Sequence, residues 1–187
     1  MRYYLDTEFH EDGRTIDLIS LGLVAEDGRE FYACSLDAEL HRCHARDTWL
    51  MDNVLTKLPP YSDPAWMHRT QIRDRLLDFM LHPLPYRPGE PTAQRDPIGG
   101  TSIAMWAYYA DYDWVAFCQL FGRMIDLPPQ LPKWCRDLKQ LSVDVGSPKH
   151  PPKLKDGEHN ALADARWNRD LHVILEKERT RRMQGVP

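Results

Sequence analysis

The stretch RYYLDTEFHEDGRTIDLISLGLVA, residues 2–25, decides the fold. RYYLDTEF places aromatic residues and Thr at strand-favouring positions. EDGR at 11–14 contains Asp12-Gly13, a strong hairpin signal, and TIDLISLGLVA then reads as a second strand. EDGRE at 26–30 repeats the turn with Asp27-Gly28, and FYACSL at 31–36 follows as a third strand. The chain therefore opens with an antiparallel three-stranded meander. Its first strand carries two acids, Asp6 and Glu8, one residue apart. Either they decorate a solvated edge or they face inward to hold something positive. Side chains alternate across a strand, so Asp6 and Glu8 share one face while Leu5, Thr7 and Phe9 share the other. Same-face neighbours lie roughly 7 Å apart along the backbone, close enough for two carboxylates to converge on one ion. The apolar flanks place the strand inside the sheet, where unpaired charges are costly and a cation is the natural counterpart.

Beyond the meander the pattern turns helical. RDTWLMDNVLTKL, 46–58, has apolar residues at Trp49, Leu50, Val54, Leu55 and Leu58, and Pro59-Pro60 ends it. TQIRDRLLDFML from Thr70 sets Ile72, Leu76, Phe79 and Met80 on one face. Residues 83–100 are rich in Pro and Gly and read as a long surface loop. TSIAMWAYY at 101–109 is a buried-strand pattern leading through 110–112 into a helix, DWVAFCQLFGRMI, with Val115, Cys118, Leu120 and Phe121 available for packing. KWCRDLKQL reads as a strand passing into a helix, SPKHPPKLKDGEH as a loop, and NALADARWNRDLHVILEKERTRR as a long helix with Asn160 as its cap. A meander followed by α/β crossovers predicts one α/β domain over 1–187, a mixed sheet with helices on its faces.

Composition narrows the function. Apolar residues make up 42% of the 187, enough for a core. The mean hydropathy of −0.58 and the lack of a long apolar run exclude a transmembrane helix. No export signal is visible, which makes the cytoplasm the expected compartment. Cys34, Cys43, Cys118 and Cys135 match no zinc knuckle and no redox pair, and HRCHARD at 41–47 has no second ligand pair. A net charge of −4 argues against a protein that grips long duplexes through their phosphates. An acidic chain can still process nucleic acid at a short end if bound metal ions supply the positive charge.

Two further segments bear on Asp6 and Glu8. Asp113, in WAYYADYDWVAF, sits where a strand gives way to a helix; it could stabilise the helix dipole or project toward the strand ends where open α/β sheets build their sites. Asp111 rivals it. In EHNALADARWNRD, His159 and Asp164 are five apart, which in one helix would set them about 140° apart. With His159 just outside the helix and Asp164 in its first turn, the two can converge; the alternative is a dipole-complementing Asp beside an exposed loop His. Four acids and one His (Asp6, Glu8, Asp113, Asp164 and His159) suit hard cations such as Mg²⁺ or Mn²⁺ and not a zinc site. Two such ions, roughly 4 Å apart, clamp the attacking and leaving oxygens of a phosphodiester, while the His could take the proton of the attacking water. Phe9, Tyr108 and Tyr109 could stack a base or could be core.

DTEF at 6–9, YADYDWVAF at 109–117 and HNALAD at 159–164 resemble, in order and in His-x4-Asp spacing, the three motifs of the DEDDh 3'-5' exonucleases. DTEFHEDGRTIDLISLG together with EHNALADARWNRDL is similar to a narrower group, the small actinobacterial polyadenylate-specific 3'-exoribonucleases. The resemblance implies a ribonuclease H-like fold, two divalent ions held by Asp6, Glu8, Asp113 and Asp164, and His159 as general base. It further implies single-stranded RNA 3' ends as substrate, nucleoside 5'-monophosphate as product, and a homodimer. Phe9 and Tyr109 are the expected substrate contacts. Many relatives have a Gly soon after the first motif, whereas Phe9 and His10 follow Glu8 here and the first Gly is Gly13. Two other functions stay open on these residues: a DNA 3'-5' exonuclease of the proofreading or repair type, and a catalytically silent nucleic-acid-binding module. A peptide-binding surface built on the Trp and Tyr residues is a third.

Overall fold

The structure is a computed structural model describing residues 1–41, 48–81, 103–152 and 158–185. Cys43 with most of HRCHARD, the expected loop at 83–100, and positions 153–157 lie outside the described residues. The meander forms as expected, from β1 (Arg2–Glu11), β2 (Ile16–Ala25) and β3 (Glu30–Ser35). The first connection is a four-residue loop, in which Asp12 Oδ1 accepts from the backbone N–H of Arg14 and Thr15 at 2.9 and 2.8 Å. Three short strands complete the sheet: β4 (Trp66–Met67), β5 (Ala104–Ala107) and β6 (Arg136–Asp137). The order β4-β3-β2-β1-β5-β6 is antiparallel across β3-β2-β1 and parallel at β3-β4, β1-β5 and β5-β6. This is a ribonuclease H-like α/β sheet with β1 at its centre. The two-residue β4 is too short to show a strand periodicity in the sequence.

Helices α1 (Thr48–Asn53), α2 (Arg69–Leu81), α3 (Ala110–Gln119), α4 (Leu138–Asp144) and α5 (Ala161–Met183) cover the sheet. On one face, Tyr3, Leu5, Leu21 and Leu23 meet Ile72, Leu76 and Met80 of α2 and Ala116 and Phe117 of α3. Each fully buried Leu there contributes roughly 1.5–3 kcal/mol. On the other face, Tyr4 and Val24 meet Ala165 of α5. Helix α3 stops at Gln119, before Gly122 (φ 103°) and a short 3-10 turn at Met124–Asp126. Of the residues expected to pack, Cys118 and Leu120 are buried and Phe121 lies against the core, whereas Val115 faces solvent; Ala116 and Phe117 complete the buried face. Among the described residues no helix is long and apolar enough to cross a membrane.

Strand β1 changes character halfway along. Strand β5 pairs only with Arg2, Tyr3 and Tyr4. Past that point the backbone groups of β1 need other partners. The Asn168 side chain of α5 donates to the Leu5 carbonyl at 2.8 Å, and Asp113 of α3 accepts the Thr7 N–H at 2.7 Å. On the β2 side the register steps between Glu8 and Phe9: Glu8 faces Ser20, Phe9 faces Leu18, and Ile19 is left over. Such a bulge re-aims side chains. Ile19 packs with Leu50 and Val54, which fastens the α1 segment beside the upper end of β1.

Candidate active site

The upper end of β1 gathers the acids. Asp6 and Glu8, on the α5 face of the strand, meet Asp164 from the first turn of α5, with one ligand oxygen from each within 4.8 Å of the others. What brings α5 so close is Gly22, the cross-strand partner of Asp6. A Cβ at Gly22 would lie 2.2 Å from the Ala161 carbonyl oxygen, so only glycine admits the helix start here. Asn160 caps that helix by accepting the Ala163 N–H at 3.1 Å, and Asp164 Oδ2 accepts the backbone N–H of His159 at 2.9 Å. Three carboxylates in so small a space repel one another unless protons or cations intervene. An all-oxygen donor set fits Mg²⁺ or Mn²⁺.

Asp113 stands apart from this group. It reaches β1 from the opposite layer, and its Oδ1 accepts both the N–H of Thr7, at 2.7 Å, and its hydroxyl, at 2.6 Å. Burial pushes its carboxyl up to about 7; the Thr7 hydrogen bonds oppose the shift, and the charges of Asp164 and Asp137 add to it. Its rival Asp111, two residues earlier, lies exposed. Asp137 caps α4 through the Gln140 N–H at 2.7 Å and accepts the Ala110 N–H, also at 2.7 Å, so one carboxylate ties the starts of α3 and α4 together.

Both site helices are entered through a non-glycine residue in the left-handed region. Tyr109, at φ 58°, is the N-cap of α3, four residues before Asp113; His159, at φ 60°, precedes the Asn160 cap, five residues before Asp164. Such backbone strain gathers at functional sites. The His159 ring lies outside the three-acid group, edge-to-face with Trp49 of α1 at 4.8 Å and 79°. Lys57 donates a hydrogen bond to the Glu158 carbonyl. Of the expected substrate contacts, Phe9 is stacked on Tyr112 (5.6 Å between centroids, 9° between planes), and Tyr109 is 62% exposed against the edge of Tyr108.

Several residues of this neighbourhood escape a reading of the sequence. Gly22 leaves a signal, since a glycine inside a strand marks close approach of another backbone. Asp137 just before a helical run reads as a cap. Thr7, Trp49, Lys57 and Tyr112 acquire their roles from contacts between distant segments, which leave no local mark.

A central β1 flanked by carboxylates on a mixed sheet defines the class: a ribonuclease H-like α/β protein with an acid-lined site. Residues 1–174 match the family model described as the 3'-5' exoribonuclease Rv2179c-like domain, and the chain belongs to that family. It is 46% identical over 167 residues, 89% of this chain and 88% of the relative, to the 3'-5' exoribonuclease Rv2179c of Mycobacterium tuberculosis (strain ATCC 25618 / H37Rv). The same figures hold for the 3'-5' exoribonuclease MT2234.1 of strain CDC 1551 / Oshkosh.

Proposed function

We propose that this chain is a 3'-5' exoribonuclease that shortens single-stranded RNA from its 3' end and releases nucleoside 5'-monophosphates. The observation that carries this reading is the convergence of Asp6, Glu8 and Asp164 at the end of the central strand, in a chain of this family. The relatives' names support the substrate and the polarity. Asp6, Glu8 and Asp164, with Asp113 as the fourth acid, would hold two divalent ions. When bound, these would offset the charge that develops on the phosphodiester and ease loss of a proton from water. His159 receives that proton as general base. Its support is its place: beside Asp164 through its backbone, with its ring outside the acid group. Phe9 and Tyr109 offer ring faces to the terminal bases.

The test is digestion of matched 3'- and 5'-labelled single-stranded RNA and DNA with Mg²⁺ or Mn²⁺, with chromatography of the products. RNA should shorten stepwise from the 3' end with release of 5'-monophosphates, and Asp6→Asn should abolish this while the circular dichroism spectrum is kept. Full activity in excess EDTA, or cutting of a circular RNA, would overturn the reading. His159→Ala should slow a single turnover by roughly a hundred- to ten-thousandfold. Calorimetric titration with Mn²⁺ should find its metal affinity kept; loss of that affinity would make His159 a ligand or a structural prop.

A further inference from the structure

We infer that Trp49 and Lys57 are positioning residues for His159, and that they act on the reaction only through it. This rests on the reading of His159 as general base. Trp49 is 54% exposed, yet its ring stands edge-to-face with the imidazole at 4.8 Å. Lys57, eight residues further along the same segment, donates to the carbonyl of Glu158, the residue just before His159. One segment, α1 and the 3-10 turn Leu55–Lys57 that follows it, therefore holds both the ring and the preceding peptide. That segment is itself fixed, because Leu50 and Val54 pack on the bulged Ile19 of β2. The need for such a hold follows from the backbone. His159 adopts φ 60°, in the left-handed region that few residues other than glycine occupy, at a cost its surroundings must offset. The Asn160 cap and the bond to Asp164 fix the main chain, but neither restricts rotation of the imidazole. The Trp49 ring does. A base already aimed at its proton is worth far more than one that must find it, since small misplacements of a reacting group cost large factors in rate.

The competing use of Trp49 is direct stacking on a substrate base. A double-mutant cycle on the full chain separates the two. Trp49→Ala, His159→Ala and the double variant are compared by single-turnover cleavage of a short RNA with saturating Mn²⁺, and KM and kcat are measured for Trp49→Ala. Trp49→Ala should lower kcat by about ten- to a hundredfold with KM and Mn²⁺ affinity unchanged, and Trp49→Phe should restore most of the rate. In the His159→Ala background, Trp49→Ala should add nothing. Lys57→Met should behave the same way and provides the cycle should Trp49→Ala fail to fold, which its thermal midpoint will show. A rise in KM with kcat intact, or the same loss of rate with and without His159, would overturn the inference and leave the general base standing. A His159→Ala variant as fast as the parent would instead remove the general base itself.

Discussion

His172 shows what burial does to a single titratable group. It is 1% exposed on the inner face of α5, its Nδ1 bonded to the Tyr4 hydroxyl at 2.8 Å and its ring 4.1 Å from that of Trp106. Burial lowers its pKa to about 4, against the pull of Glu176, whose carboxylate lies 3.4 Å from Nε2. The native state therefore holds the ring neutral, whereas the unfolded chain takes up a proton below about pH 6.5. The stability linked to this group is present above that pH and is lost as pH falls from about 6.5 toward 4. Urea midpoints of the parent and of His172→Gln between pH 7 and pH 4.5 should show a shallower acid limb in the variant; parallel curves would mean that His172 carries its proton in the fold. At this scale the sequence was informative where the chemistry is local. The shared face of Asp6 and Glu8 follows from strand alternation alone, and the Asn160 cap from its place before a helical run. The pairing of Thr7 with Asp113 does not, because 106 positions separate them.

Among the elements, the meeting of α5 with β2 decides whether the site exists. The start of α5 rests on the backbone at Gly22, which brings Asp164 within reach of Asp6. Gly22→Ala puts a methyl group into the Ala161 peptide, so the helix must lift or the strand must bend. Overpacking of this kind costs about 1–3 kcal/mol. The expected result is a folded protein with a lowered thermal midpoint and a sharply weakened Mn²⁺ affinity, read by differential scanning and isothermal calorimetry. A variant that binds Mn²⁺ as the parent does would show that the site tolerates a displaced helix. The elements legible in the sequence were those with a strong period or a clear stop: the meander, α2, α5, and the segment ended by Pro59-Pro60. Helix α3 was legible too, with Cys118, Leu120 and Phe121 packed as expected and only Val115 misplaced. Val115 looks like a core residue by hydropathy, yet the bond from Asp113 to Thr7 fixes the rotation of the helix and leaves Val115 outside.

At the scale of the whole molecule, the carboxylate group joins β1, the first strand, to α5, the last helix. A divalent ion held there, as proposed, would tie β1 to α5 and stabilise the fold by mass action, by about 2.7 kcal/mol at a hundred times its dissociation constant. The thermal midpoint should rise by several degrees with millimolar Mn²⁺ and fall back in EDTA, and Asp164→Asn should remove most of the difference. An equal response in that variant would place the ion elsewhere. The same topology has a consequence for the order in which the chain is made. The chain leaves the ribosome N-terminus first, and residues 2–35 contain the whole meander. One edge of β1, at Arg2–Tyr4, has no neighbour until Ala104–Ala107 emerge from the ribosome, and Asp6 and Glu8 have no third carboxylate until Asp164 does. A growing chain on a crowded polysome thus carries an open strand edge able to pair with a sister chain. It cannot assemble its acid cluster until Asp164 has emerged as well, about 130 residues after the meander is complete, so the sheet and the cluster are made at well-separated times.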